Sequence, residues 1–195
     1  MEIKKEYRTM EIRAMDQMPD NEIMVVEGYA VRFNEPTIMY EIDGIEYKEV
    51  VDKNALVGAD LTDVPFKYNH SDDIMIMART RNKTLELIPD TQGLYIRASL
   101  AKTTAGKDLY TLIQRGDIDK MSFAFTVAED SYNTVTRTRT ILKIKKLYDV
   151  SGVDLPAYNT TSISARSFFE LEREKERKAL ENAELRKKLI IQTLL

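Results

Sequence analysis

Cysteine is absent from the 195-residue sequence, and histidine occurs once, at His70. Without cysteine the chain has no disulfide bonds and no thiolate chemistry, which is compatible with a reducing compartment. With one imidazole and no thiolate, only a carboxylate-rich metal site could form, and Asp72-Asp73 lacks the length and spacing of a calcium loop. The sequence therefore predicts no metal ion.

Long apolar runs and a strong charge imbalance are absent too. The formal net charge is −3 and the pI is about 5.4, so no basic surface favours nucleic acid as a partner. No apolar run approaches the roughly 18–20 residues that span a bilayer. The charged start, MEIKKEYRTMEIRAMD, is unlike a signal peptide. We expect a soluble cytoplasmic protein that binds neither nucleic acid nor membrane.

Standard cofactor and hydrolase motifs are also missing. The chain has no GxxxxGK[ST] and no GxGxxG, so the sequence predicts no nucleotide cofactor, and we expect no other cofactor. The lack of a GxSxG elbow argues against the usual α/β-hydrolase. A hydrolase that works with two carboxylates stays open, because acidic residues are common and no pair stands out.

Strand patterns dominate the chain as far as about Arg166. MVVEGYAVRF is rich in valine and aromatic residues, and Gly28 within it indicates a bulge or bend. KTLELIPDTQGLYIRASL predicts a hairpin, and LYDVSGVDLPAY predicts a later strand that ends at Pro156. TTAGKDLYTLIQRGD predicts a helix that ends near Gly116. The predicted fold class is therefore mainly β (α+β).

The composition changes after Arg166. SFFELEREKERKALENAELRKKLIIQTLL has no glycine or proline and consists of helix formers of mixed charge, which predicts one long helix. Its heptad pattern is too poor for a clean coiled coil. We expect a β-rich domain at 1–166 and a charged C-terminal helix at 167–195, whose ends pack on another surface such as a second subunit.

Acyl transfer by a serine is the one reaction for which this sequence offers a candidate for each catalytic group. A serine hydroxyl needs a base to remove its proton, and His70 is the only imidazole. In KMSFAFTVAE, Ser122 lies on a face of small side chains that can border a groove, opposite the large apolar residues. With a single histidine, the base must be oriented by a carboxylate, the backbone or nothing, and Asp149 is the candidate carboxylate. From pattern alone, a surface His70, an outward-facing Ser122 and an edge Asp149 stay open.

Six segments in order resemble the prohead (procapsid) maturation proteases of tailed bacteriophages of the HK97 type. Together they cover roughly positions 27–166. They are EGYAVRFNEPT, DVPFKYNHSDD, the ART at 78–80, KTLELIPDTQGLYIRASL, RGDIDKMSFAF and LYDVSGVDLPAYNTTSISAR. Each is weak alone, and their order makes the resemblance specific.

The resemblance implies a closed β-barrel with surrounding helices, as in the related herpesvirus capsid-assembly proteases, together with the long C-terminal helix. It also implies a serine endopeptidase. The histidine of the family's NH motif falls on His70 and the serine of its GDI…SF motif on Ser122. The acidic residue of its EVS motif falls on Asp149, where aspartate replaces the usual glutamate.

The same resemblance implies partners and a place of action. The enzyme would act inside the procapsid, in the host bacterial cytoplasm, on the scaffold segment of the phage major capsid protein and finally on itself. We expect a homo-oligomer, a dimer or higher, held by the C-terminal helix. A non-catalytic capsid scaffold or assembly module on the same fold, and an esterase, are the alternatives.

Overall fold

The computed structural model describes residues 5–15, 23–154 and 158–193, and in the last range the side chains of 167–190. Its strands are β1 Glu6–Glu11, β2 Arg13–Ala14, β3 Val25–Arg32, β4 Thr37–Ile42, β5 Ile45–Val51, β6 Pro65–Tyr68, β7 Ala78–Arg79, β8 Leu85–Pro89, β9 Gly93–Ser99, β10 Lys120–Asn133 and β11 Thr138–Val153. Its helices are α1 Thr104–Arg115 and α2 Tyr158–Thr193, with a 3₁₀ turn at Thr80–Asn82. The predicted strand end at Pro156 lies outside the described residues.

The strands form two sheets. Sheet A has the order β1-β10-β11-β5-β4, with β6 paired to β11 and β7 paired to β6, and sheet B has the order β2-β3-β9-β8. A closed barrel requires the two end strands of a sheet to pair with each other, and β1 and β4 stay at opposite ends of sheet A. The mainly β fold with a C-terminal helix is confirmed, and the closed barrel is not found among the described strands.

The core lies between the sheets and depends on the alternation along β10. Met121, Phe123 and Phe125 are fully buried on one face of that strand. Gly28 of β3 lies close to this face: a Cβ there would come 2.6 Å from Met121 Cε and 2.5 Å from Glu11 O. Gly28 thus allows close approach of the sheets. The bulge or bend predicted at Gly28 is displaced, because the register shift of β3 falls between Tyr29 and Val31.

Helix α1 ends at the predicted glycine, and a threonine caps its start. The Thr103 side chain accepts a hydrogen bond from Gly106 N, and the helix ends at Gly116 in the left-handed conformation (φ 81°). Leu109 and Ile113 are buried and lie against Gly152 near the end of β11. The helix therefore supports β11 from its core side.

Helix α2 begins at Tyr158, so it continues without a break across Arg166. Three turns into the helix, Phe169 is fully buried with its ring centroid 5.4 Å from that of Tyr47, and Phe168 lies edge-on to Tyr132. The helix is thus packed on sheet A at Phe168 and Phe169. None of the described helices combines the length and apolarity needed to cross a membrane.

Four charged side chains are buried together beneath this helix. Arg8 bonds Glu6 and Glu49, and Arg139 bonds both of these carboxylates. Burial acts to raise the pKa of Glu6, but the hydrogen bond from Arg139 and the charge of Arg8 outweigh it, so the pKa is lowered. The guanidinium of Arg139 also lies 4.3 Å from the ring centroid of Phe168, which links the cluster to α2.

Candidate active site

The pairing of β10 with β11 places Ser122 and Asp149, two of the three predicted catalytic residues, on one face of sheet A. Ser122 is directly opposite Ser151, and Ala124 is directly opposite Asp149. Side chains of directly paired residues share a face, as do residues two apart on one strand. Ser122, Asp149 and Ser151 therefore lie together on the face opposite Phe123 and the core.

His70 reaches this face from the end of β6, which pairs in parallel with β11. After β6 the chain turns through Asn69 (φ 50°) and His70 (φ 55°). Both adopt the left-handed backbone conformation, which is uncommon outside glycine. Asn69 Nδ2 donates to Asp154 Oδ1 at 2.9 Å, and the Tyr68 hydroxyl donates to Asp154 Oδ2 at 2.8 Å. These bonds to the end of β11 hold the turn that carries His70.

The histidine and the predicted carboxylate are in direct contact. His70 Nδ1 lies 2.5 Å from Asp149 Oδ1. The side chain of Asp149 is 7% exposed and that of His70 is 17% exposed, so the pair is largely shielded from water. Neither residue is the isolated surface group that the sequence pattern left open.

Ser122 lies on the same face but is fully buried, so the outward-facing alternative is wrong and the hydroxyl has no surface open to a substrate. Among the described residues, Ser122 Oγ and His70 Nε2 are both buried polar atoms without a hydrogen-bond partner. The two atoms that a serine mechanism would join are therefore both among the buried polar atoms left unbonded, and they are not in hydrogen-bond contact.

Ser151, which the sequence analysis did not single out, completes the contacts of the pair. Its hydroxyl donates to Asp149 Oδ1 at 3.0 Å, accepts from the backbone amide of His70 at 3.2 Å, and lies 3.3 Å from His70 Nδ1. It is fully buried. Its position two residues after Asp149 on a strand was the available signal, because such residues share a face.

Tyr7 of β1 is a second residue that the sequence did not indicate. Its ring is edge-on to the imidazole of His70, with 4.7 Å between centroids, and it is paired with Ala124 across the sheet. Burial and the negative charges of Asp149 and Asp72 raise the pKa of the Tyr7 phenol. The N-terminal strand thus forms one side of the site.

The site does not coincide with a cavity of about 730 Å³ in the described structure. That cavity is lined mostly by residues of β1, β3, β4 and β5, and His70, Ser122 and Asp149 are not part of its wall. Within the described ranges, histidine and carboxylate side chains form no cluster of three or more that could hold a metal ion. The site consists of side chains with acid–base and nucleophilic chemistry.

Comparison with known proteins gives three matches. Residues 8–176 match the family model described as caudovirus prohead serine protease. The prohead protease of Enterobacteria phage HK97 is 30% identical over 142 residues, which are 72% of this chain and 59% of that protein. The structure of the bacteriophage T4 capsid assembly protease matches with a TM-score of 0.56 at 15% identity, covering 78% of this chain and 98% of that one. This likeness supports the fold alone. The chain belongs to the caudovirus prohead serine protease family.

Proposed function

We propose that the chain is a serine endopeptidase that cleaves the scaffold segment of a phage major capsid protein, and itself, during procapsid maturation. One observation carries the proposal. His70 is bonded through Nδ1 to the buried Asp149, while its Nε2 and the Ser122 hydroxyl on the same face stay without partners. This is the state in which one imidazole nitrogen is held and the other is free to act as a base.

In the proposed mechanism, Asp149 accepts a hydrogen bond from the Nδ1–H of His70, which keeps that proton on Nδ1 and leaves the lone pair on Nε2. Nε2 removes the proton of Ser122 as its oxygen attacks the peptide carbonyl, and the resulting imidazolium is stabilised by the Asp149 carboxylate. The proton then passes to the leaving amine. Water repeats the sequence on the acyl-enzyme and restores Ser122.

The burial of Ser122 adds a step before chemistry. A carbonyl group cannot reach a hydroxyl with no exposed surface, so a group that covers Ser122 has to move when substrate binds. The mechanism also requires Ser122 Oγ to come within hydrogen-bond distance of His70 Nε2 in the substrate complex. Catalytic hydrogen bonds are often long in the free enzyme and shorten in the substrate complex.

The place of action and the partner are part of the same proposal. Family membership supports action inside the procapsid, in the host cytoplasm, with the major capsid protein as partner. The chain spans 59% of the length of its HK97 relative. Cleavage of the capsid protein by this chain is therefore a proposal. A relationship in fold to the herpesvirus capsid-assembly proteases is proposed as well, with a carboxylate in place of the histidine that is their third catalytic member.

The test is co-expression with the cognate major capsid protein, followed by intact mass measurement of both chains. The wild type, Ser122→Ala and the control Ser131→Ala are compared; Ser131 is an exposed serine on the same strand. We expect a shortened capsid protein with the wild type and with Ser131→Ala, and a rate about 10⁴–10⁶ lower with Ser122→Ala. A full-length capsid protein in all three samples, with the chain packaged in procapsids, would favour a non-catalytic assembly module.

A further inference from the structure

We infer that Ser151 is a positioning residue that holds the main chain of His70 and the carboxylate of Asp149 in their mutual geometry. The inference rests on the proposed function, which it deepens. It starts from the three contacts of one hydroxyl: 3.2 Å to His70 N, 3.0 Å to Asp149 Oδ1 and 3.3 Å to His70 Nδ1.

These contacts use the bonding capacity of the hydroxyl. A serine has one proton to donate and two lone pairs to accept with. The proton is directed to Asp149 Oδ1, one lone pair receives the His70 amide, and the other faces Nδ1. Ser151 is therefore fully engaged within the site, whereas Ser122 Oγ has no partner among the described residues.

The same contacts exclude Ser151 as the nucleophile. Its oxygen lies at Nδ1, the nitrogen that Asp149 already occupies at 2.5 Å. A base that has its proton-bearing nitrogen against a carboxylate accepts a proton through the other nitrogen, Nε2. Ser151 acts through His70 and Asp149 and does not contact the substrate.

The backbone contact explains why a serine is useful at this position. His70 adopts a left-handed conformation, which is unfavourable for a non-glycine residue and persists only where neighbouring groups hold it. Asn69 N is held by the Gly152 carbonyl on the adjacent strand. The next amide, that of His70, is held by the Ser151 side chain, so the turn is fixed residue by residue along β11.

Amide hydrogen exchange of the ¹⁵N-labelled full chain tests the contact without any need for activity. In the wild type we expect the His70 amide to be protected, and an unprotected His70 amide would overturn the inference whether or not any variant folds. In Ser151→Ala we expect its exchange to rise at least about tenfold, while the Asn69 amide, which is bonded to Gly152 instead, stays unchanged. Equal acceleration of both amides would show only a general loosening and would also overturn it.

Cleavage kinetics then test the consequence for catalysis. Ser151→Ala should lower kcat about 10–100-fold with KM unchanged, and Ser131→Ala should change neither. In the Asp149→Asn background, Ser151→Ala should have little further effect, because both changes act on the same imidazole. Independent, additive losses would contradict the inference. If the wild type cleaves nothing, the proposed function fails, and the exchange data still decide whether Ser151 holds His70.

Discussion

His70 and Asp149 are 79 positions apart in the chain, and their side chains meet at 2.5 Å between Nδ1 and Oδ1. The contact exists because β6 pairs in parallel with β11, so the turn after β6 is placed beside the strand that carries Asp149. Ser122 joins the same face through the antiparallel pairing of β10 with β11. The proposed site therefore needs the β10–β11 hairpin together with β6, which comes from a distant part of the chain.

Asp149→Asn tests the role of the carboxylate. The amide has nearly the same shape but offers an N–H in place of an acceptor, which favours the wrong imidazole tautomer. We expect capsid-protein cleavage to slow by about 10⁴-fold with the fold unchanged. The exposed Asp73→Asn, in the loop after His70, is the control and should cleave at the wild-type rate. A wild-type rate for Asp149→Asn would remove Asp149 from the mechanism.

Glu6→Gln tests the buried charge cluster and its dependence on pH. The folded state lowers the pKa of Glu6 from its usual value of 4.5. A lowered pKa stabilises the protein above the unfolded value, and the stabilisation is lost as the pH falls through the folded value. At neutral pH we expect Glu6→Gln to lower the free energy of unfolding by about 3–5 kcal/mol, because Arg139 and Arg8 lose a buried partner.

Urea denaturation at several pH values measures this effect. The difference between wild type and Glu6→Gln should be constant near neutral pH. It should shrink below 4.5, where the Glu6 carboxyl of the unfolded chain takes up a proton, and be lost as the pH falls through the lower pKa of the folded state. Glu46→Gln is the control, because its ion pair with Lys48 is partly exposed and worth at most about 1 kcal/mol. A difference between wild type and Glu6→Gln that persists unchanged to low pH would show that the cluster is not held by charge.

Phe169→Ala tests the docking of α2 on sheet A. Phe169 is fully buried against Tyr40 and Tyr47, so its truncation should cost about 3–5 kcal/mol of unfolding free energy. Leu171→Ala, two residues on and 63% exposed, should change stability by less than about 0.5 kcal/mol. Equal effects of the two substitutions in urea denaturation would mean that the helix is not anchored by Phe169.

A chain that ends after Lys178 tests whether the distal part of α2 joins subunits. Such a chain keeps Phe168 and Phe169 on the sheet and removes the exposed leucines at 180, 185 and 189. A chain that ends near Arg166 would also strip the docked phenylalanines, so it would mix unfolding with dissociation. By light scattering we expect an oligomer for the full chain and a monomer for the shortened one.

The truncation changes both the chain length and the apolar surface. Substitution of the three leucines by glutamine in the full-length chain separates these two effects. If apolar contacts join the subunits, these substitutions should dissociate the oligomer as the truncation does. The same mass for all forms would remove α2 from the subunit interface.

Most individual elements were predictable from local pattern. The alternation in β10 and the glycine that ends α1 are local sequence signals, so they can be recognised without knowing which segments pack against them. The family resemblance pointed to His70, Ser122 and Asp149. The structure brings His70 and Asp149 into contact and places Ser122 on their face, and the catalytic roles of all three stay predictions.

Other features were beyond local pattern because they depend on which strands become neighbours. The open arrangement of two sheets in place of a closed barrel follows from β1 and β4 finding no mutual hydrogen bonds. Neither the edge-on contact of Tyr7 with His70 nor the bond from Asn69 to Asp154 has a signature in the segments that form it.

Alternation along a strand can say that Ser122 points away from the large apolar residues. It cannot say what covers that face, so it predicted a groove where the structure buries the serine completely. Likewise, the pattern around Asp149 showed an acid in an apolar strand but not the imidazole that makes its burial tolerable. Side-chain direction is a property of local backbone geometry, whereas burial and partners come from segments that meet only when the chain folds.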